Sequence, residues 1–230
     1  QSGGRFFVDT LTDDGFLAFV LSNDNNMCGI AGIVNPRASA NLGALKHMAD
    51  SLAHRGPDGE GFWQSENRRI ALAHRRLAIL DTSDAGTQPL LSDDGRWVLV
   101  FNGEIYNFLE LRRELEEKGH RFHTQTDSEV LLNGWQCWGW DLLPKMNGMW
   151  AFAICDTQSG DLFLARDRFG VKPLVYTEAA DGFYFASEPK ALLALPEISR
   201  SFEPQALQRA VFDPFSFESS DRDLFSAVRK

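Results

Sequence analysis

The residue with the clearest chemical potential in this sequence is Cys28, which directly follows Met27. A cysteine before a glycine at the head of an apolar strand is often only a small packed side chain. If translation starts at Met27, however, the small Cys28 side chain allows the initiator methionine to be removed, which leaves Cys28 with a free α-amine. Such an amine has an ordinary pKa of about 7.7–8.0, so it can take the thiol proton near neutral pH. One residue would then supply both the nucleophile and its base.

A second candidate is the pair Asn102-Gly103, at the end of a predicted strand. Asn-Gly is also a common hairpin turn, but a helix is predicted to follow here. Asn107 and Glu110 have the spacing of a capping box, and Gly119 supplies a stop. A side-chain amide and a glycine N–H at a strand end are suitable donors to an oxyanion. The pattern therefore favours stabilisation of negative charge over a two-residue hairpin.

Charged side chains at two further places could hold a ligand. Arg75 and Arg76 lie in the β-like run 72–81, where an arginine is costly to bury without an anionic partner. A carboxylate ligand facing one of them would remove that cost through a bidentate pair. Asp127 stands at a predicted helix start, where the ordinary interpretation is a helix cap and the alternative is contact with a substrate.

The remaining reactive side chains do not form a telling pattern. His74 invites a role as general base, and His120 with His123 invites a metal site. Neither has a third ligand or a partner carboxylate at a telling spacing, so no metal site and no catalytic histidine are predicted. Cys137 and Cys155 are interpreted as small buried hydrophobic residues, because the three cysteines lack the spacing of a disulfide framework or a zinc site.

Strands and helices that would position these residues can be read from hydrophobic spacing. Leu42, Leu45, Met48 and Leu52 mark one face of a helix. Further helices are predicted at 107–119, 127–138 and 188–195. Strands are predicted at 28–34, 70–80, 97–101, 149–155, 162–166, 174–177 and 183–186. Two runs of strands, each interrupted by helices, predict packed sheets with helices outside them.

Composition excludes several classes of partner. The chain has 230 residues and a formal net charge of −9, with no cluster of lysines and arginines, so neither nucleic acid nor an anionic membrane is expected to bind it. The apolar segment 15–21 is too short to span a bilayer, and two aspartates precede it where a secretory signal would be positive. We therefore expect a cytoplasmic protein.

Seven segments of the chain resemble asparagine synthetases in their order and approximate spacing. They are MCGIAG at 27–32, HRGPD at 54–58, RLAILD at 76–81, NGEIYN at 102–107, TDSEV at 126–130, RDRFGVKPL at 166–174 and ASEPKAL at 186–192. The resemblance covers roughly residues 27–200. It implies the fold of N-terminal-nucleophile hydrolases, an α+β, four-layer αββα sandwich of two mostly antiparallel sheets.

The resemblance also implies an activity, the hydrolysis of L-glutamine to glutamate and ammonia by a glutamine amidotransferase domain. In that family pattern Cys28 attacks the side-chain amide of glutamine. Asn102 and the Gly103 N–H hold the tetrahedral oxyanion, and water then releases glutamate from a thioester.

Binding of glutamine is implied by the same resemblance. Arg76 is expected to hold the substrate α-carboxylate, and Asp127 and Glu104 to face its α-ammonium. Backbone groups near Ile79 and Leu80 are expected to line the pocket. The charges suit a zwitterion, which needs one cation and one or two carboxylates.

The sequence departs from the family at its start, because 27 residues precede Cys28. We expect residues 1–26 to be an upstream extension or propeptide, 27–200 to be the amidotransferase domain, and 201–230 to begin a linker to a second domain. An acylated Cys28 nitrogen is not a base, so the uncleaved chain is expected to be inactive. The alternative function is a catalytically silent module that binds glutamine or mediates assembly, with Cys28 blocked by the extension.

The second departure is the absence of a synthetase half. Ser2-Gly3-Gly4 lacks the Asp-Ser of a pyrophosphate-binding loop and precedes the domain, so no cofactor is expected in this chain. ATP and Mg are expected only in the missing domain or subunit. That partner would accept ammonia for the ATP-dependent amidation of aspartate, and the family also leaves a homodimer open.

Overall fold

The computed structural model describes residues 6–10, 27–78, 86–218 and 220–230. Its strands are β1 Phe6–Thr10, β2 Gly29–Val34, β3 Gly59–Gln64, β4 Ile70–Arg76, β5 Leu90–Leu91, β6 Trp97–Ile105, β7 Gly148–Asp156, β8 Leu162–Arg166, β9 Val175–Ala179 and β10 Gly182–Ala186. Its helices are α1 Leu42–Ser51, α2 Phe108–Glu117, α3 Asp127–Trp138, a 3₁₀ helix Gly139–Lys145, α4 Pro189–Leu193, α5 Pro204–Phe212 and α6 Pro214–Glu218.

Two five-stranded sheets account for the strands of the described residues. The β6 sheet has the order β1-β8-β7-β6-β5, and the β2 sheet has the order β3-β4-β2-β10-β9. Neighbouring strands are antiparallel except β1, which runs parallel to β8. Short connections account for the antiparallel hairpins β3-β4, β5-β6, β7-β8 and β9-β10, because a hairpin needs few residues whereas a parallel crossover needs a dozen or more.

The two sheets pack face to face through alternate residues of each strand. In β6, Val98 and Val100 point between the sheets, whereas Leu99 and Phe101 point to the helices outside. Both faces of the strand are thus apolar, which explains why the central strands read as continuous hydrophobic runs. Gly32 in β2 makes room for a buried ring, since a Cβ there would lie 2.1 Å from the Phe185 side chain.

Helices cover the outer face of each sheet. Helices α1 and α4 bury Leu45, Met48 and Leu192 against the β2 sheet. Helices α2 and α3 and the 3₁₀ helix bury Leu115 and Trp135 against the β6 sheet. The predicted α+β sandwich with four αββα layers is therefore confirmed.

The ends of the elements differ from prediction in informative ways. Helix α2 does begin after Asn107, but the Asn107 side chain makes no capping bond. It donates to the Lys145 carbonyl at 2.9 Å and accepts from the Asn147 N–H at 2.9 Å, so the predicted capping box is wrong. Helix α3 is capped by Thr126, whose hydroxyl accepts from the Glu129 N–H at 3.3 Å. The cap of α3 is thus Thr126 and not Asp127, the residue for which a cap was the ordinary interpretation. Asp127 Oδ2 instead accepts from the Ile105 N–H of β6.

The flanking segments of the chain also contribute to the packing. Strand β1 lies in the predicted extension, where hydrophobic spacing predicted no element, and it adds to the edge of the β6 sheet beside β8. In the segment 220–230, Val228 is buried in the layer of α1 and α4, and the backbone of Arg229 forms an isolated antiparallel β-bridge with Tyr176. No helix among the described residues is long and apolar enough to cross a membrane.

Candidate active site

Strand alternation brings four of the predicted site residues to the space between the sheets. Side chains two residues apart share a face of a strand. Cys28 stands two residues before Ile30, and Arg76 stands four residues after Leu72. Each therefore lies on the same strand face as a residue that lines the interior between the sheets. Asn102 and Glu104 follow Val98 and Val100 on the same face of β6. Because β6 lies against both β2 and β4, these strand ends form one site.

Cys28 lies directly before β2 and is half-buried. The Leu77 N–H, at the end of β4, donates to its Sγ at 3.4 Å. Its backbone carbonyl accepts from Arg55 Nε at 3.0 Å. Both contacts come from the segments flanking β4 and α1, so the nucleophile candidate is held on its side chain and on its backbone.

The charge of the Cys28 thiol is set by opposing effects. Burial raises the thiol pKa above its usual range. The Leu77 N–H and the positive charges of Lys172, Arg55 and Arg76 act in the opposite direction. The site thus places three cations around a thiol that is otherwise disfavoured as an anion.

Asn102 is only 1% exposed, and its Nδ2 has no hydrogen-bond partner among the described residues. The next residue, Gly103, packs closely against β7, where a Cβ would lie 2.6 Å from the Met149 carbonyl oxygen and 2.7 Å from Trp150 Cα. Only glycine fits there without moving the backbone. A buried, unused amide donor beside a glycine is suited to an oxygen that gains negative charge.

Two carboxylates lie next to these donors. Asp127, at the start of α3, is buried, and its Oδ2 accepts from the Ile105 N–H at 3.0 Å. Burial raises the pKa of the Asp127 carboxyl, and the nearby charge of Glu104 raises it further. A cation between the two carboxylates would relieve both effects.

The neighbouring arginines of β4 have different surroundings. Arg75 faces α1 and pairs with Asp50 of that helix at 2.5 Å and with Glu60 of β3 at 2.8 Å. Arg76 points the other way, and its charge acts on Cys28. Gly86 lies beside the Arg76 guanidinium, since a Cβ there would be 2.8 Å from Nη2. Arg75 is therefore a structural ion-pair residue, and Arg76 faces the site.

Two predicted pocket residues are not described by the structure, and two histidines lie where no catalytic or metal role was predicted. Ile79 and Leu80 lie outside the described residues, so their predicted contact with glutamine stays a prediction. His74 is buried between the sheets, and burial lowers its pKa to about 3, so the ring is neutral at physiological pH. His123 lies on the surface, where it contacts Asp93 at 3.2 Å.

Sequence reasoning assigned no role to two cations that reach the site, Arg55 and Lys172. Arg55 joins the Cys28 carbonyl to Glu188, with 2.7 Å between Arg55 Nη1 and Glu188 Oε1. The charges of Cys28 and Glu104, which belong to different sheets, both raise the pKa of Lys172, although burial lowers it overall. Both residues stood in segments with a family resemblance, but spacing alone does not indicate which way a loop side chain points.

With this geometry in view, comparison with known proteins identifies the class. The chain belongs to the glutamine amidotransferase domain family, whose sequence pattern matches residues 27–230. The glutamine-hydrolyzing asparagine synthetase 1 of Bacillus subtilis is 39% identical over 208 residues, which are 89% of this chain and 32% of that protein. Asparagine synthetase 2 of the same organism is 42% identical over 180 residues, which are 76% of this chain and 23% of that protein.

A solved structure supports the fold separately. The glutamine phosphoribosylpyrophosphate amidotransferase of B. subtilis, in complex with ADP and GMP, matches with a TM-score of 0.63 and 24% identity. The match covers 75% of this chain and 45% of that protein. The chain itself spans a third or less of the length of the two synthetases. The resemblance to the amidotransferase part of asparagine synthetases is thereby confirmed.

Proposed function

We propose that this domain, once Cys28 is N-terminal, hydrolyses L-glutamine to glutamate and ammonia through a thioester to Cys28. The observation that carries the proposal is the buried Nδ2 of Asn102, which has no hydrogen-bond partner among the described residues. A buried donor without a partner costs about 1–3 kcal/mol. The tetrahedral oxygen formed during attack on an amide would satisfy it, together with the Gly103 N–H.

The chemistry follows from a free α-amine on Cys28. The thiol proton moves to the amine, and the thiolate attacks the side-chain amide carbon of glutamine. Asn102 and Gly103 donate to the oxyanion while the protonated amine returns its proton to the departing ammonia. Water, activated by the same amine, then attacks the thioester and releases glutamate.

Recognition of glutamine rests on the charges around the site. Arg76 pairs with the α-carboxylate, and Asp127 with Glu104 receives the α-ammonium. The raised pKa of Asp127 supports this assignment, because a bound cation would restore the charged carboxylate. Backbone groups near Ile79 and Leu80 complete the pocket in this proposal.

The proposed fate of the ammonia involves a domain or subunit outside this chain. The two synthetases it resembles extend well beyond the matched segment. We propose a synthetase domain or subunit that uses ATP and Mg to activate aspartate and takes up the ammonia. No residue of this chain is proposed to bind ATP or Mg.

The first test is the intact mass and N-terminal residue of the purified protein, measured together with glutamate release from glutamine. A chain that begins at Cys28 and turns over glutamine supports the mechanism. A chain that begins at Gln1 is expected to be inert, and activity should then appear when expression starts at Met27. If the form that begins at Cys28 is also inert, the proposed hydrolysis is wrong.

One observation favours the alternative, a silent glutamine-binding module. Met27 is seated in the site, where its N–H donates to the Arg55 carbonyl at 3.1 Å and its sulfur contacts Lys172 Nζ at 2.8 Å. An uncleaved chain of this form has an amide instead of a base at Cys28. Calorimetric titration of glutamine into the uncleaved protein separates the two functions, because a silent module must still bind.

A further inference from the structure

Lys172 is a buried cation with an unusual partner. It is only 7% exposed, and its Nζ donates to the Met27 sulfur at 2.8 Å. Within the described ranges, no carboxylate lies within ion-pair distance of its ammonium. Because burying a charge is costly without an opposite charge, a thioether is a poor partner for this group. The ammonium therefore lacks a direct anionic partner among the described residues of the resting chain.

The loop that carries Lys172 is built to hold it in place. Asp167 accepts from the N–H groups of Phe169 at 3.1 Å, Val171 at 3.0 Å and Lys172 at 2.9 Å. Arg166 Nε donates to the Lys172 carbonyl at 3.0 Å. The loop thus fixes Lys172 from both of its backbone groups.

The same loop reverses the usual distribution of side chains. Phe169 is 71% exposed and Val171 is 48% exposed, whereas the charged Lys172, which follows them in the sequence, is buried. Apolar side chains are normally buried and lysines almost never are. Folding free energy alone would favour the opposite arrangement, which indicates that the ammonium is kept inside for a function.

The charge environment identifies the missing anion. Burial lowers the Lys172 pKa, and the positive charge of Arg55 lowers it further, whereas Glu104, Cys28 and Asp167 raise it. Cys28 in turn has its thiol pKa lowered by Lys172. Of these three anionic partners, the Cys28 thiolate is the one that exists only during catalysis.

We propose that the Lys172 ammonium is a further functional residue of this site, which stabilises the Cys28 thiolate and disfavours a second positive charge on the Cys28 α-amine. The inference rests on the proposed glutamine hydrolysis. Lys172 Nζ contacts the residue directly before Cys28, and the new amine nitrogen is the atom to which Met27 was bonded. The thiol proton moves to this neutral amine, and Lys172 keeps its own proton throughout.

The sign of the effect follows from electrostatics. A nearby cation lowers the pKa of a thiol and also lowers the pKa of an ammonium group. Removing the Lys172 charge should raise both values, so that at neutral pH less thiolate forms and more of the amine is protonated. Activity and thiol reactivity should therefore shift to higher pH.

The test uses the full chain with a specific protease sequence directly before Cys28, cleaved after folding. Lys172→Met removes the charge but keeps an unbranched apolar stem, Lys172→Arg keeps the charge, and Lys118→Met is the control on an exposed lysine. Two pH profiles are measured for each form. One is the rate of Cys28 alkylation by iodoacetamide, followed on the Cys28 peptide, and the other is kcat/KM for glutamate release.

We expect Lys172→Met to move the alkylation midpoint and the acid limb of kcat/KM upward by about one pH unit, which is about tenfold in activity at pH 7. Lys172→Arg should retain most of the parent profile, and Lys118→Met should match the parent. If Lys172→Met fails to fold, Lys172→Gln is measured in its place.

Two results would overturn the inference. A raised KM with unshifted pH profiles would show that Lys172 binds substrate, and unshifted profiles with lower thermal stability would show a structural role. Alkylation does not require turnover, so the two proposals can fail separately. A cleaved parent that reacts with iodoacetamide but releases no glutamate contradicts the proposed function, while the alkylation shift still decides the role of Lys172.

Discussion

Cys28 combines groups that favour a thiolate with surroundings that disfavour it. Burial raises its pKa, and the Leu77 N–H with three cations opposes that effect. In the intact chain its nitrogen is an amide, which cannot accept a proton near neutral pH. We therefore propose that Cys28 becomes a competent nucleophile only after cleavage before it, with these cations favouring its thiolate.

Replacing Asn102 should affect chemistry more than binding. Asn102→Ala in the form that begins at Cys28 is expected to lower kcat about 10²–10³-fold, because one oxyanion donor is lost, with little change in KM. Steady-state glutamate release measures both constants. Asn133→Ala in α3 serves as the control, since its side chain lies away from the candidate site, where it donates to the Arg121 carbonyl and accepts from Gln136 Nε2. A fall in kcat of less than fivefold would contradict the oxyanion role.

At the scale of elements, strand β6 positions the proposed oxyanion donors, Asn102 and Gly103, by continuing past its predicted end. Trp97–Phe101 was predicted, whereas the strand runs to Ile105 and pairs with β7 along its length. Polar residues at 102–104 weakened the hydrophobic signal, but the ladder to β7 keeps this segment extended. The donors therefore stand on a rigid strand instead of a loop.

A methyl group at Gly103 should disturb that strand. The atoms that it would meet include the Met149 carbonyl and Trp150 Cα, which belong to the backbone and cannot turn aside. We expect Gly103→Ala to lower the free energy of unfolding by about 1–3 kcal/mol and to reduce kcat at least tenfold. Urea unfolding and glutamate release provide the measurements.

The matched control for Gly103 is Gly59→Ala in β3. An added Cβ there would lie 3.8 Å from Arg76 Cβ, an ordinary contact. This variant should keep the parent stability within about 1 kcal/mol, because Gly→Ala in a compatible conformation is tolerated. Equal effects at both glycines would show that packing against β7 is not the cause.

At the scale of the whole molecule, stacking two sheets creates both the site and a buried histidine. His74 points between the sheets on the same face of β4 as Leu72, in surroundings that disfavour its charged form. Burial lowers its folded-state pKa from the ordinary value of 6.5 to about 3. The unfolded chain therefore binds a proton at this residue at pH values where the folded protein does not.

This difference predicts acid sensitivity. A histidine with a depressed folded pKa contributes stability that is complete above about pH 6.5 and falls as the pH drops toward 3. The free energy of unfolding should decrease by about 1.4 kcal/mol per pH unit in that window, or about 2 kcal/mol at pH 5. Urea unfolding as a function of pH should show a smaller slope for His74→Gln.

His47→Gln on the exposed side of α1 is the control for acid sensitivity, and its slope should match that of the parent. Should His74→Gln retain the full parental slope between pH 6.5 and 4, the buried ring would not be the source of the effect. Glutamate release by the folded protein near pH 7 should be independent of the His74 charge, because the ring is neutral there.

The sequence by itself determined the features that depend on neighbours along the chain. Hydrophobic spacing located most strands and the main helices, since amphipathic periodicity follows from local backbone geometry. Residue chemistry and motif order indicated Cys28, Asn102 and Gly103 and the family. Strand β1 was missed because its segment lacks a clear period, and its hydrogen bonds go to β8 more than 150 residues away.

Only the tertiary structure decided which side chains meet. It separated Arg75, which pairs with α1, from Arg76, which faces Cys28. It redirected Asn107 from a cap to a contact between loops, and it brought Lys172 from a distant loop to the residue before Cys28. The physical reason is that burial and charge interactions depend on distance in space, which local spacing along the chain does not specify.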